Sequence, residues 1–337
     1  MRITVVLAAV ILTSGATWAA HDKVRANAYD DVWEQAWVTH CRGVYRTANK
    51  TAGFVLQIGD SITHSNPYSQ WPRYGAGQTS EDSTLITWAK YRQADMGSGT
   101  ADVNNKNGLY LAIADTSGQR GMSASSGIDT AEYLSGNGNG GTAMPSDTSQ
   151  STAKTKISDG AAYSGNIHMD TLAAAFKDAQ FAVVMLGTND VSGGRSAAAF
   201  LANLTSIVDK LEAQNIVVVL STIPPHYSND SLAQSCNTQI RNLCQTRGLP
   251  LIDFYSEILA RRPGTTWNGT LLGLNDVHPT ASGGAYNSSS DPYANGGNPA
   301  THTTGAACDQ VGYLLRSWLT VQKLKEVKRY IADGVNP

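Results

Sequence analysis

Five short apolar runs, rich in branched residues and separated mostly by helical stretches, restrict the fold of this chain more than any other feature. They occupy residues 54–58, 109–114, 181–186, 216–222 and 251–254, and each reads as a strand buried on both faces. Between and around them, apolar residues recur at helical spacing. Tyr29, Val32, Trp33, Ala36, Trp37 and Val44 predict an opening amphipathic helix, Phe200, Leu201, Leu204, Ile207, Val208 and Leu211 a helix over 196–214, and Val311, Leu314, Leu315, Trp318, Leu324 and Val327 one over 309–332. Strands alternating with helices predict an α/β fold, a mostly parallel five-stranded sheet covered on both faces. In such sheets ligands bind beyond the carboxyl ends of the strands, so chemistry is expected just after strands.

Three strand ends carry suitable residues. After the first comes Gly59-Asp60-Ser61-Ile62-Thr63, where glycine permits a tight turn and Ser61 presents a hydroxyl at the strand's carboxyl end. After the third comes Gly187-Thr188-Asn189-Asp190; the Asn189 amide can donate to an oxyanion, although this segment could equally be a helix-capping loop. Beyond the last strand, Leu274-Asn275-Asp276-Val277-His278-Pro279 sets an imidazole beside two residues able to orient it. His64, three residues past Ser61, is the nearest rival histidine.

These three blocks, in this order, resemble blocks I, III and V of the SGNH (GDSL-like) hydrolases, and Thr222-Ile223-Pro224-Pro225 and Ile252-Asp253-Phe254 resemble that family's connecting strands. The resemblance implies a flavodoxin-like three-layer α/β/α sandwich and hydrolysis of acyl esters through an acyl-serine, with no metal or organic cofactor. It makes Ser61 the nucleophile and a backbone oxyanion donor, Asn189 a side-chain donor and His278 the base. Two positions depart from the pattern. The second block's glycine is replaced by Ala124 in the stretch 120–127, which leaves Gly121, Ala124 and Gly127 as candidates for the third oxyanion donor, with Ala124 the aligned one. The family's aspartate three residues before the histidine is here Asn275. Helical spacing would favour Asn275, but only a carboxylate stabilises imidazolium, and Val277 before Pro279 is pushed out of helical conformation; Asp276 is therefore expected to orient His278.

Residues 1–20, with Met1-Arg2, an apolar stretch too short to span a bilayer and small residues to Ala20, read as a signal peptide for a secreted or periplasmic protein. Residues 21–337 then form a single domain, and no later run approaches a membrane span. A net charge of −2 with 15% charged residues speaks against a nucleic-acid partner, and the cationic cluster of the last helix reads as a solvated face. Cys236 and Cys244 lie eight residues apart on one helical stripe, too far to bridge each other, so any disulfides are expected to join them separately to Cys41 and Cys308.

The Gly/Ser/Asn/Thr-rich stretches 135–158 and 281–307 read as long surface loops, the second a lid or plain ornament. Low charge, these loops and the aromatics Tyr68, Trp71 and Tyr74 after Ser61 suggest an acetylated polysaccharide as substrate, with a lipid or simple ester as alternatives within the family. Two readings of other classes compete. Asp60, Asn189, Asp190 and His278 could serve a metal-dependent phosphoesterase, although further ligands at fixed spacing are missing, and the fold could persist as a carbohydrate-binding protein without turnover.

Overall fold

Four of the five predicted strands pair in a parallel sheet, as expected. In the computed structural model, which describes residues 32–89, 124, 127–135, 169–170, 173, 177–301 and 306–336, β1 (Val55–Gly59), β2 (Phe181–Met185), β3 (Val217–Ser221) and β4 (Leu251–Ile252) lie side by side in that order, all parallel. Every residue of these strands is buried, which requires cover on both faces of the sheet and gives the three-layer α/β/α arrangement. The main sheet has four strands among the described residues where five were expected, since the predicted strand 109–114 lies outside them. Gly59, paired with Met185 on one edge, also bridges Ala124 in parallel. A strand has only two edges, so Ala124 sits against the other edge of β1.

The helices keep to their patterns with trimmed ends. They are α1 (Val32–Val44), α2 (Ser61–His64), α3 (Gln70–Tyr74), α4 (Ser80–Trp88), α5 (Thr130–Ser135), α6 (Thr188–Ser192), α7 (Ala197–Glu212), α8 (Asp230–Arg247), α9 (Phe254–Arg261) and α10 (Gly312–Val327), the last prolonged by a π-helical turn Lys328–Ala332. Helix α7 starts where Ser196 caps it by accepting from the Ala199 N–H, and its inward stripe of Phe200, Leu204, Ile207, Val208 and Leu211 is buried as the periodicity predicts. None of the described helices is long and apolar enough to cross a membrane.

Four expectations require correction. The cationic face of helix α10 is solvated only in part: Arg329 of its last turn is exposed and Lys325 and Lys328 are half-buried, but the body of the helix is not. Arg316, Gln322, Lys323 and Glu326 are buried along with its apolar residues, because the helix runs between α3, α4 and the edge strand β4; its charges are held in a buried Lys323–Glu326 pair and by hydrogen bonds. The stretch 281–307 is no plain loop. It forms a small hairpin, β5 (Ser282–Gly283) with β6 (Tyr286–Asn287), and Tyr293 ties it down by donating to Asp82 at 3.0 Å while accepting from the Trp318 indole at 2.9 Å. The other predicted loop continues past Ser135, the end of α5, into residues outside those described.

The expected disulfides are absent too. Cys41, Cys236, Cys244 and Cys308 are all buried, and none is joined in a disulfide. Cys41 has Cys244 as an electrostatic neighbour, whereas Cys308 sits in a separate environment with Arg261, Asp309 and Glu257. Burial raises all four thiol pKa values, which makes them small core side chains of low reactivity. Lastly, of the three aromatics after Ser61, Tyr68 and Trp71 are buried and only Tyr74 is exposed. The Tyr68 hydroxyl is taken up by Gln57 and Thr320 and the Trp71 indole by the Ala76 carbonyl, so neither ring can face a ligand.

Candidate active site

The turn after β1 is shaped by its own short side chains. A Cβ on Gly59 would fall 2.0 Å from Thr63 Oγ1, so only glycine lets the chain turn directly into α2. Asp60 caps that helix, its Oδ1 accepting from the Ile62 N–H at 2.9 Å. Ser61 thus becomes the first residue of α2, where its backbone N–H has no intrahelical partner. His64, the rival histidine, closes the same helix.

The second histidine reaches Ser61 across more than two hundred residues. Leu272 bridges Pro279, and the Gly273 N–H donates to the His278 carbonyl at 2.9 Å, which fixes the strand-like arm carrying the imidazole. At its tip Asn275 takes the left-handed conformation, φ 53°, in a turn closed by the Asp276 N–H to the Gly273 carbonyl. Its side chain faces away from the imidazole, accepting from the Asn268 amide at 3.2 Å, while Asn268 Oδ1 accepts the Asn275 N–H at 2.7 Å. Asp276 turns back instead. Its Oδ1 accepts from the Val277 N–H, from the His278 N–H and, at 2.7 Å, from His278 Nδ1. His278 Nε2 lies 2.8 Å from Ser61 Oγ.

Ser61, His278 and Asp276 therefore form one continuous hydrogen-bonded relay. Partial burial raises the Asp276 pKa, but the bonds from the His278 ring and from the two backbone amides outweigh it and leave the carboxyl below its ordinary value. With Asp276 ionised, Nδ1 carries the proton and Nε2 is free to accept the Ser61 hydroxyl proton, which is what nucleophilic attack needs. The His278 and Asp276 side chains are 39% and 49% exposed, so the relay opens to solvent.

The remaining sequence candidates gather beside it. Asn189 lies in the first turn of α6, directly after β2, and spends one amide hydrogen on the Ile128 carbonyl at 2.9 Å; its second has no partner among the described residues. Ala124 flanks the carboxyl end of β1 beside Gly59 and is buried. Gly127 has φ +80°, and Gly121 lies outside the described residues.

Asp190 anchors this side of the site. It accepts from the Thr130 N–H at 3.0 Å and Thr130 Oγ1 at 2.5 Å and pairs with Arg195 at 2.6 Å. Tyr133, one turn along α5, donates to the Gly59 carbonyl at 3.0 Å. Segment 128–133 is in this way stitched to the ends of both β1 and β2. Asp190 is committed to that anchoring, and among the described residues no three His, Cys, Asp or Glu converge in a way that could hold a metal ion.

Sequence reasoning missed Tyr133, Arg195 and Arg316, which hold the site from a distance in the chain; nothing in their local pattern marks them. It also missed the loop after β3, where His226 is buried between the Ser192 hydroxyl at 3.0 Å and the Ser228 hydroxyl at 3.2 Å and stacks on Tyr227, itself 50% exposed.

Asp60 has a titration of its own. Burial pushes its pKa up to about 6, against the pull of the Ile62 amide and of the Arg316 and His278 charges. An aspartate whose folded pKa exceeds its unfolded one adds stability in full below the unfolded value, and that stability is lost as pH rises through about 6. Comparing wild type with Asp60→Asn by denaturant unfolding, the wild type is expected to lose about 2 kcal/mol relative to the variant between pH 4 and pH 8. A difference that does not change with pH would contradict this.

Residues 121–286 match the family model described as GDSL-like Lipase/Acylhydrolase. The matched stretch contains Asn189, Asp276 and His278 and begins after Ser61. No curated protein matches the chain. Similar solved structures include a lipase/acylhydrolase from Enterococcus faecalis, 16% identical over 80% of this chain and 94% of that one, TM-score 0.39. A carbohydrate esterase family 3 protein from Talaromyces cellulolyticus is 18% identical over 67% of this chain and 87% of that one, TM-score 0.37. A member of the lipolytic protein G-D-S-L family from Veillonella parvula is 16% identical over 67% and 88%, TM-score 0.35.

Proposed function

Over residues 121–286 this chain belongs to the GDSL-like lipase/acylhydrolase family, and from that premise we propose an exported serine esterase that deacetylates polysaccharide, with Ser61 as nucleophile and His278 as base. The observation that carries the reading is the relay from Ser61 Oγ to His278 Nε2 at 2.8 Å and from His278 Nδ1 to Asp276 at 2.7 Å. In the first step Ser61 Oγ attacks the ester carbonyl while its proton passes to His278 Nε2. The oxyanion is held by the Ser61 N–H, by the second hydrogen of the Asn189 amide and by a third donor at Ala124. His278 returns the proton to the departing alcohol, leaving an acyl-serine. Water, deprotonated by the same imidazole, then releases the acid and restores Ser61.

The substrate class rests on weaker but consistent features. The charged start and apolar run of residues 1–20 support export. Among the described residues only Tyr74, Tyr227, Leu274 and Val335 are large apolar side chains left exposed, so these residues provide no broad apolar bed for a long acyl chain. Tyr227 follows β3 at the carboxyl edge of the sheet and is suited to stack on a sugar face.

Activity on chromogenic esters of increasing acyl length, together with acetate release from acetylated polysaccharide, tests the reading. Expected are a kcat/KM for acetyl at least about tenfold above that for octanoyl, since each surplus methylene must find apolar cover, and measurable acetate release from the polymer. A preference for long chains would make the enzyme a lipase. No turnover of any ester would leave a carbohydrate-binding protein.

A further inference from the structure

The helix farthest along the chain places a buried cation under the Ser61 turn. Arg316 of α10 is 2% exposed. Its Nη1 donates to the Ile62 carbonyl at 2.8 Å and its Nη2 to Thr63 Oγ1 at 2.7 Å, while its guanidinium carbon stands 3.9 Å from the centre of the Tyr68 ring. Among the described residues none of the hydrogen bonds of this guanidinium goes to a carboxylate. Ile62, the residue after Ser61, is thus gripped on both sides, its N–H by Asp60 and its carbonyl by Arg316. Thr63, the second acceptor, is the side chain that presses on Gly59.

A hydrogen-bonded staple alone would not need a full charge, and burying one without an acid is costly. The charge has a counterpart one residue before Ser61. Asp60 is fully buried, its Oδ1 is spent on the Ile62 N–H, and its one other hydrogen-bonding neighbour is the Thr188 hydroxyl. Left uncompensated, that carboxylate would oppose the negative charge that develops at Ser61 as an ester is attacked.

We propose that Arg316 is a positioning residue for Ser61, its guanidinium fixing the Ser61–Thr63 turn and balancing the buried Asp60 carboxylate so that an oxyanion forms beside a neutral pair. The inference rests on Ser61 being the nucleophile. It makes the C-terminal helix part of the catalytic apparatus, although none of its residues needs to touch substrate.

The test measures the rate at which an organophosphonate inactivates wild type, Arg316→Met and Arg316→Lys, with kcat and KM for an acetyl ester per titrated site. The methionine variant keeps the apolar stem and loses the charge; the lysine variant keeps the charge. Expected is a fall of about 30-fold in kcat and in inactivation rate for methionine with KM within about twofold, and recovery to within about fivefold of wild type for lysine. A folded methionine variant with wild-type kcat and inactivation rate overturns the proposal, as does a lysine variant no better than methionine. If methionine prevents folding, Arg316→Gln takes its place, and equal rates for Gln and Lys overturn it. Wild type that is not labelled at Ser61 would instead defeat the nucleophile assignment on which the inference stands.

Discussion

Ser61→Ala is expected to lower kcat on the order of 10⁵-fold or more while leaving the fold intact. The hydroxyl is the group attacked through in both halves of the proposed cycle, and nothing else in the turn can replace it. Asp60 is held by its own cap to Ile62, and the neighbouring Thr63 hydroxyl is taken up by Arg316. The structural cost is small, because Ser61 is only partly buried and alanine suits the first turn of a helix; unfolding free energy is expected to stay within about 1 kcal/mol of wild type. Chromogenic ester turnover with a parallel denaturant titration reads both quantities. Substantial residual turnover from a folded variant would defeat the mechanism.

Asp276→Ala is expected to reduce kcat by about 10³- to 10⁴-fold, whereas Asn275→Ala stays within about fivefold of wild type. The two neighbours differ in where the backbone aims them. The left-handed turn at Asn275 sends that side chain to Asn268, and the bend after it, in which Asp276 Oδ1 accepts from the Val277 and His278 N–H groups, brings that oxygen onto the His278 ring. Asp276 sets the Nδ1–H tautomer and stabilises the imidazolium that forms during attack, so its loss acts on kcat. Asn275→Ala instead incurs a left-handed strain on the order of 1 kcal/mol, which lowers stability, and Asn275→Gly should relieve that strain. Steady-state kinetics of the three variants decide the matter. If Asp276→Ala retains near-full kcat, Ser61 and His278 act as a dyad.

How much of this was legible in the sequence follows from how local each determinant is. Strand cores such as Val217–Ser221 announce themselves by composition, and the Gly59 turn, the Gly187 turn and the His278-Pro279 arm are short motifs whose geometry neighbouring residues fix. The Asp276 pairing was also within reach, because Pro279 and the turn before it restrict only a few residues. Burial of polar and aromatic residues was not. Tyr68 and Trp71 look like surface aromatics until Gln57, Thr320 and Ala76 supply their partners, and Arg316 looks like a solvated cation until the Ile62 carbonyl and Thr63 hydroxyl, some 250 residues earlier, enclose it. The cysteines show the same limit: helical spacing correctly separates Cys236 from Cys244 but cannot say whether either meets a partner.

The central claim is that Ser61, driven by His278, is the atom donor to the acyl group. Incubating the full chain with an organophosphonate and locating the adduct by peptide mass spectrometry tests it most directly. One stoichiometric adduct is expected on the peptide containing Ser61, formed in step with loss of esterase activity and slowed by at least about a thousandfold in His278→Ala. An adduct on any other residue that removes activity, or full activity in protein labelled at Ser61, would contradict it.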